Sequence, residues 1–435
     1  MVFFLASSKK FYDSHLRDLG KSNILVFEIG ESVLIPFFKT RGKGLPTNRG
    51  FTMAKTGQER NEPTASRERL IQSSIELLSE KWYGTVSVAE ICRHAGFSNG
   101  LFYRYFQDKE EIFRHILEMV IEQIAAALVE LPGETARERL ELFAKIIFDY
   151  SQNNTTLVKV FREGQYRFFE YERRLKAVYD EALGRVMREE PSLSSYIFAL
   201  GGLRFAAIRS AFHGIPVRLA VLQKILEEGM FRDYAYDPGK VFSTSITPLP
   251  LEIMPDARER ILREGKTLIG KQGYFETNIH EITSAAGLST GAFYTYFANK
   301  EAFFAELIHR VGREVRRFIS INLSPSLNRL ERELRGLWLF IVFLSLDRHC
   351  YGIVREAEFV LPTAVRSYYD AFVDGYREHD EAAEMIDETT EIEFMLGVAH
   401  YLGIEVIFDQ SPENARSIIA EIGEFYRRGF GDKLG

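Results

Sequence analysis

The sequence predicts an all-α protein made of two tandem copies of one module. Its 435 residues contain only 13 prolines, which favours long helices over a strand-and-turn fold. Apolar residues recur at helical spacing in several segments. When the sequence is aligned with itself at an offset of 191 residues, one region matches without gaps. These observations together indicate a duplicated helical module.

The internal repeat is strongest over 47 residues. Arg67–Phe113 and Arg258–Phe304 have 18 identical positions. The likeness continues weakly beyond them, and the offset drifts from 191 to 196 residues, as loop insertions would produce. The later matching pairs are Arg162-Glu163 with Arg355-Glu356, and Leu200-Gly201 with Leu396-Gly397. The whole module is therefore expected to be duplicated.

The domain boundaries follow from this repeat. Residues 236–252 contain three prolines and one glycine, which predicts an extended linker. The two modules then occupy 53–235 and 253–435, and residues 1–52 match neither of them. This N-terminal extension is interpreted as having little function, and an accessory segment is the alternative.

Each module begins with a helix-turn-helix pattern, within residues 64–112 and 255–303. In the first copy an amphipathic helix is followed by predicted N-caps at Ser87, Ser98 and Asp108, and Gly96 supplies a positive φ after the second helix. The third helix is predicted over 99–106, and Glu111 is expected to complete a capping box with Asp108. In the second copy the same four positions are Asn278, Gly287, Ser289 and Asn299.

The third helix of each copy is suited to a DNA groove. No acidic residue occurs in 93–107 or in 282–299, and a carboxylate there would be repelled by phosphates. Phe102 and Phe106 are assigned to the core, which leaves Asn99, Leu101, Tyr103 and Arg104 pointing outward. The alternative is an ordinary pair of short helices that is buried for packing. The same pattern occurs in both copies, however, and this favours DNA binding.

The motif A-G-x-S-x-G-x-x-Y-x-Y-F-x-x-K-E, present in both copies, resembles the helix-turn-helix of the tetracycline-repressor (TetR) family of transcription regulators. The resemblance implies a three-helix DNA-binding head and a helical body that binds a small effector. It also implies that the last two helices of each body form a four-helix bundle. Leu193–His213 with Arg218–Phe231 would pack on Thr389–Asp409 with Pro412–Phe430, so the partner subunit is replaced by the other half of the chain.

The same resemblance implies the residues that contact double-stranded DNA. Phosphate contacts fall on Tyr103, Lys109, Tyr294 and Lys300. Base-edge contacts fall on the starts of the third helices, at Asn99, Gly100, Leu101, Thr290, Gly291 and Ala292. Arg104 reaches a guanine or a phosphate, whereas its counterpart Thr295 cannot pair bidentately. The capping residues Ser98 and Ser289 complete the set. Trp82 stands where the family commonly has glycine, which Gly273 keeps in the second copy.

Other chemistries find little support in the sequence. Two cysteines exclude a disulfide framework and a cysteine-rich zinc site, and no catalytic, cofactor or metal motif is found. The letters G-x-S-x-G at 96–100 and 287–291 lie between short helices, not at a strand-to-helix elbow. Gly336–Leu346, the longest uncharged apolar run, has 11 residues against the roughly 20 that span a bilayer. A cytoplasmic protein without a membrane partner is expected.

Two features of the bodies are open to more than one interpretation. Arg162-Glu163 and Arg355-Glu356 are interpreted as structural salt bridges, with an effector contact as the alternative. The aromatic clusters at 166–171 and 338–343 either line an apolar effector pocket or belong to the core. They favour an apolar or aromatic effector without identifying it.

The predicted function is that of a ligand-responsive, DNA-binding transcription regulator, expected to be a repressor. It would act as a single-chain pseudo-dimer on a two-half-site operator. The alternative is a helical sensory or protein-interaction module that has lost DNA binding. That alternative is favoured by the net charge of −6 and by the absence of basic residues from the second recognition helix.

Overall fold

The computed structural model describes residues 62–250, 256–377, 387–408 and 414–434. The predicted all-α fold is confirmed, because every regular element within these ranges is helical. The N-terminal extension predicted at 1–52 lies outside the described residues. Within the same ranges no single helix is long and apolar enough to cross a membrane; Arg329–Leu346 and His349–Val360 reach that length and composition only as a pair bent by 99°.

The first half of the chain has a three-helix head followed by a helical body. The head consists of α1 (Glu62–Glu80), α2 (Val88–Ala95) and α3 (Asn99–Phe102). The body consists of α4 (Lys109–Leu128), α5 (Ala136–Asn153), α6 (Thr155–Arg167), α7 (Phe169–Met187), α8 (Leu193–Tyr196), α9 (Gly202–His213) and α10 (Leu219–Glu228). A π-helical segment, Ile197–Gly201, joins α8 to α9.

The second half repeats this arrangement after one short helix, α11 (Pro238–Val241). Its head consists of α12 (Ala257–Gln272), α13 (Ile279–Ala285) and α14 (Thr290–Tyr296). Its body consists of α15 (Lys300–Ile321), α16 (Arg329–Leu346), α17 (His349–Val360), α18 (Pro362–Arg377), α19 (Glu388–Phe408) and α20 (Ala415–Arg428). One contiguous apolar core includes residues from both halves.

The predicted helix boundaries of the heads are largely confirmed, but Ser98 and Ser289 stand at the N-cap positions without a side-chain capping hydrogen bond. Ser87 accepts a hydrogen bond from the backbone N–H of Glu90, and Gly96 ends α2 with a φ of 75°. Asp108 caps α4 by accepting from the N–H of Glu111. The predicted capping box is wrong in its second bond, because the Glu111 carboxylate accepts from the N–H of Gln107 at 2.5 Å.

The predicted third helix of the first head is too long. α3 ends at Phe102, and the chain continues as turns, with the N–H of Tyr105 donating to the carbonyl of Phe102 at 2.9 Å. In the second head α14 runs on to Tyr296. The two recognition helices therefore differ in length as well as in sequence.

The linker is not simply extended. It contains α11, whose N-cap Asp237 accepts from the N–H of Gly239. Arg335 of α16, only 3% exposed, donates to the carbonyl oxygens of Val241 and Ser243 at 3.1 and 2.6 Å. The arginine satisfies backbone acceptors that a strand or helix would otherwise pair, and it holds the linker against the second body.

The two bodies meet mainly where α9 and the π-helical segment pack on α19. The backbones of α19 and the π-helical segment approach closely, since a Cβ added at Gly397 would clash with the carbonyl oxygen of Gly201. The rings of Phe198 and Phe394, which are equivalent in the repeat, pack edge to face at 5.2 Å. α10 also contacts α19 and α20.

Candidate functional site

The start of each recognition helix is exposed, and its apolar side is buried. In α3, Asn99 and Gly100 are exposed, as is the preceding cap Ser98; Leu101 is half-buried and Phe102 is fully buried. In α14, Gly291 and the preceding Ser289 are exposed; Thr290 and Ala292 are half-buried and Phe293 is fully buried. The predicted base-contacting residues of each head thus lie together on one accessible surface.

The glycines leave that surface open. A Cβ added at Gly100 would meet only the Oγ of Ser98 at 3.9 Å, and one at Gly291 only the Oγ of Ser289 at 3.8 Å. No internal packing requires glycine at these positions. A backbone without side chains at this point can approach a ligand closely.

The predicted phosphate-contacting tyrosines are equivalent in the two heads. Tyr103 is 59% exposed and Tyr294 is 56% exposed. Each ring stands edge-on to the buried phenylalanine before it, with ring centres 5.5 Å apart in both heads. Arg104 and Thr295, which follow them, are also exposed. The hydroxyl of each tyrosine is thereby held at the head surface beside the start of the helix.

The structure gives Lys109 a role that the sequence did not reveal. Its Nζ donates to the carbonyl oxygens of Tyr83 and Val86, each at 2.6 Å, and lies 4.1 Å from the centre of the Tyr83 ring. Burial lowers the pKa of this ammonium. Because an ammonium carries three N–H donors, one is left for a phosphate, and the predicted contact stays a prediction.

Lys300 has the same ring contact without the carbonyl contacts. Its Nζ lies 4.2 Å from the centre of the Tyr274 ring, and within the described ranges it donates no hydrogen bond. The two lysines therefore differ in how much of their donor capacity is free.

A buried carboxylate connects each body to its head. Glu163 of α6 accepts a hydrogen bond from the N–H of Tyr83 at 2.7 Å, and Glu356 of α17 accepts from the N–H of Tyr274 at 2.8 Å. Both tyrosines lie in the turn after the first head helix. Burial raises the pKa of each glutamate to about 7, against the lowering effect of the N–H donor.

The interpretation of Arg162-Glu163 and Arg355-Glu356 as structural salt bridges holds for the two arginines but not for the two glutamates. Each glutamate binds a backbone N–H, and both arginines turn instead to Glu358 of α17. Arg162 approaches its carboxylate at 2.6 Å and Arg355 at 3.3 Å. Adjacent residues on a helix point in different directions, so they do not pair with each other.

The two heads contact each other through aromatic rings. Trp82, near the start of the connection between α1 and α2, stacks on Phe275 of the second head with ring centres 5.4 Å apart. The Arg167 guanidinium lies 5.4 Å from the Trp82 ring, and Phe359 lies 5.8 Å from it. The tryptophan that departs from the family pattern thus touches the other copy, a contact that a glycine could not make.

A family described as "Bacterial regulatory proteins, tetR family" matches residues 70–116 and 261–307, which cover the two heads from the first helix into the fourth. Both heads are TetR-family domains. The resemblance seen in the repeated motif is confirmed for both copies. The TetR heads occupy the same positions in the two halves, and the family match ends within the first helix of each body.

Curated relatives are similar to about a fifth of the chain. The HTH-type transcriptional regulator BetI of Pectobacterium carotovorum subsp. carotovorum (strain PC1) is 30% identical over 97 residues, 21% of this chain and 50% of the relative. BetI of Yersinia pestis (strain Pestoides F) is 33% identical over 97 residues, 21% of this chain and 49% of the relative. The chain thus spans about half the length of the curated relatives it matches.

A solved structure is also similar to part of the chain. It is a transcriptional regulator of the "TerR/AcrR family" from Aquifex aeolicus VF5, with 26% identity over 37% of this chain and 94% of that chain. The TM-score is 0.29.

The second body contains a cavity of about 850 Å³. Its walls come from α15 to α19, and apolar side chains such as Val315, Leu337, Phe340 and Phe372 line much of it. Phe340 belongs to the aromatic cluster at 338–343, so that cluster contributes to a pocket wall. The volume is within the range of pockets that hold drug-sized ligands.

Polar groups also reach the cavity, and most have partners. His400 is one of the lining residues, with Nδ1 3.0 Å from the Tyr369 hydroxyl and Nε2 3.4 Å from the guanidinium of Arg355. Burial lowers the pKa of His400 well below its ordinary value, which keeps the ring neutral. Arg316 of α15 is different, because its Nη1 is buried without a hydrogen-bond partner.

One cluster of potential metal ligands lies in the second body beside the cavity. Glu314, Asp347 and Cys350 offer ligand atoms within 4.8 Å of one another. The Nζ of Lys266 lies 2.7 Å from the Glu314 carboxylate and 2.6 Å from that of Asp347. The lysine ammonium therefore supplies the positive charge that these carboxylates require.

Proposed function

We propose that this chain is a ligand-responsive transcription regulator that represses by occupying a two-half-site DNA operator as a single-chain pseudo-dimer. The observation that carries the proposal is the presence of two TetR heads in one chain, each with the start of its recognition helix exposed. We assign the body cavity to an apolar or aromatic effector. The place of action is the cytoplasm, where bacterial-type operators are read.

A buried ion pair supports pairing of the two different halves. Arg209 of α9 donates from Nε and Nη2 to the carboxylate of Glu393 of α19, at 2.8 and 2.9 Å. The side chains are only 5% and 3% exposed. At the repeat offset of 196 residues, the counterpart of Glu393 is Ile197. Two first halves paired together would therefore place Arg209 opposite an apolar residue, and the unpaired charge would disfavour that assembly.

Stoichiometry on DNA tests the pseudo-dimer. One polypeptide is expected to fill an operator whose half-sites lie about 34–36 Å, one helical turn, apart or a multiple of it. Analytical ultracentrifugation of the full chain with a selected operator measures this directly. A smallest complex with two chains on one operator would contradict the proposal. A reporter gene placed behind the operator tests repression, since expression should rise when the protein is removed.

The second candidate is a helical sensory or interaction module without DNA binding. It is favoured by the net charge of −6 and by Thr295, which stands where the first head has Arg104. Quantitative mobility-shift assays with selected operator DNA separate the two. The double variant N99A/R104A should lose specific binding, and the exposed-surface variant E181Q should keep it. If the unmodified chain selects no DNA sequence, the interaction module is supported.

A further inference from the structure

We infer that the cavity of the second body binds an amphipathic anion, an apolar chain with an oxyanion head, and that Arg316 is the residue that binds the head. This inference rests on the proposed function, in which a body binds an effector. It goes further by naming the ligand class, the half of the chain and the residue.

Arg316 lines the cavity with a guanidinium group that has a buried N–H donor without an acceptor. Its guanidinium lies 5.3 Å from the centre of the Phe372 ring, and its Nη1 is buried without a partner. Two other arginines of the lining are already matched by carboxylates: Arg355 pairs with Glu358 at 3.3 Å, and Arg329 lies 3.9 Å from Glu391. A buried guanidinium N–H without an acceptor is costly, and a carboxylate or phosphate oxygen would satisfy it in the geometry that guanidinium groups favour.

The remainder of the cavity wall favours an apolar chain. Val315, Leu337, Phe340 and Phe372 offer no hydrogen bonds, so they match methylene groups rather than a polar ligand. Glu333 also lines the cavity, but its carboxylate accepts a hydrogen bond from the Tyr376 hydroxyl at 2.9 Å. A cationic ligand is the competing possibility, and the experiment below includes one.

The first half lacks both the Arg316 guanidinium and the open space at Gly336 at the equivalent positions. α4 and α15 each begin with a lysine at an offset of 191, which aligns Arg316 with Ala125. α5 and α16 begin with matching capping boxes, Thr135–Glu138 and Asn328–Glu331, at an offset of 193.

That second offset aligns Gly336 with Phe143. Phe143 is fully buried, whereas a Cβ added at Gly336 would meet nothing within 4 Å. The first half therefore places a buried phenyl ring where the second half leaves open space, and an alanine where the second half has a guanidinium. This difference assigns effector binding to the second half.

Isothermal titration calorimetry of the full chain without DNA tests the inference. The probes are dodecanoate, dodecyl phosphate, dodecanol and dodecylammonium, all below their micellar concentrations. Both anions are expected to bind once per chain and at least about tenfold more tightly than dodecanol, because a charge-assisted hydrogen bond contributes that much. The ratio between the two anions distinguishes a carboxylate from a phosphate head. Tightest binding of dodecylammonium, or no binding of any probe, would overturn the inference.

Variants locate the site. R316M should reduce the preference for the anions over dodecanol about tenfold and leave dodecanol binding nearly unchanged. The control is R313M, which changes an exposed arginine of the same helix outside the cavity lining and should behave like the unmodified chain. G336F, which copies the first half, should abolish binding of all probes, and G336A is the milder version if the larger side chain impairs folding. Unchanged anion preference in R316M, or unchanged binding in both Gly336 variants, would overturn it. Because no DNA is present, failure here is distinct from failure of DNA binding.

Discussion

The carboxylate of Glu163 accepts a hydrogen bond from the backbone N–H of Tyr83 at 2.7 Å, across 80 residues of sequence. Glu356 and Tyr274 repeat this relationship in the second half at 2.8 Å. In each half, one end of the bond is on a body helix and the other is on the turn that leads to the recognition helix. A movement of the body helix can thus be transmitted to the head through this bond.

These two glutamates predict a pH dependence of stability. Burial raises their pKa from 4.5 to about 7, so between these values the folded chain holds protons that the unfolded chain has released. Their contribution to stability is therefore complete below about pH 4.5 and is lost as the pH rises to about 7. The double variant E163Q/E356Q keeps an acceptor oxygen but does not titrate. As the pH rises, the free energy of unfolding of this variant should increase relative to that of the unmodified chain, by up to about 3 kcal/mol per site.

Urea unfolding at several pH values measures this difference. The control is E181Q, which removes an exposed carboxylate that belongs to a surface ion pair. Parallel stability curves for E163Q/E356Q and the unmodified chain would show that the two carboxyls titrate normally.

The Arg209–Glu393 pair predicts strong coupling between the halves. R209M should destabilise the chain by about 3–5 kcal/mol, because it leaves Glu393 buried without a partner, and R209M/E393M should recover most of that loss. Denaturant unfolding of the two single variants and the double variant gives the coupling energy. The exposed pair Lys145–Asp149 serves as the control, and K145A should cost less than about 1 kcal/mol. Additive losses in the double variant would rule out a buried pair.

Replacing Lys300 or Lys109 is expected to weaken DNA binding, and replacing Lys109 is expected to reduce stability as well. K300A should weaken binding to all DNA sequences alike and reduce the slope of affinity against salt by about one unit. K109A should do the same and should also destabilise the first head, since the carbonyls of Tyr83 and Val86 lose their donor. Fluorescence anisotropy over a range of salt concentrations, together with thermal unfolding, separates the effects. Lost sequence discrimination at an unchanged salt slope would mean that these lysines contact bases.

The stacking of Trp82 on Phe275 predicts a restricted spacing between half-sites. W82G removes the ring contact between the heads, so the variant should tolerate operators whose spacer is lengthened by a few base pairs better than the unmodified chain does. W82F keeps an aromatic ring and should retain the restriction. Anisotropy titrations on a series of spacer lengths measure the tolerance, and identical profiles for all three proteins would exclude a role for this contact.

The unequal recognition helices predict an unequal operator. Asn99 can pair bidentately with adenine, and Arg104 can reach guanine, whereas Thr290 and Thr295 can do neither. The two half-sites should therefore differ, with the more stringent one read by the first head. Selection from random DNA should return an asymmetric site, and T290N/T295R should shift it toward a palindrome. A perfect palindrome from the unmodified chain would contradict this prediction.

Much of the heads could be predicted from local sequence. Ser87, Gly96 and Asp108 mark helix ends because capping and positive φ depend on residues only a few positions apart. The tandem organisation could also be predicted, because the internal repeat places the same helix-end residues in the second half. The length of α3 could not be read this way, because turns and a continued helix are both compatible with the segment after Phe102.

The sequence by itself therefore determined the helical class and the exposed starts of the recognition helices, which follow from short-range spacing. It also determined the duplication, which follows from the match of the sequence with itself at an offset of 191 residues. Only the tertiary structure decided which distant groups meet. It paired Arg162 with Glu358, 196 residues away, joined Glu163 to Tyr83 and stacked Trp82 on Phe275. It also left space at Gly336 where Phe143 fills the first half. The physical reason is that a charge or a glycine in a sequence has many possible neighbours, and packing of the folded chain selects one of them.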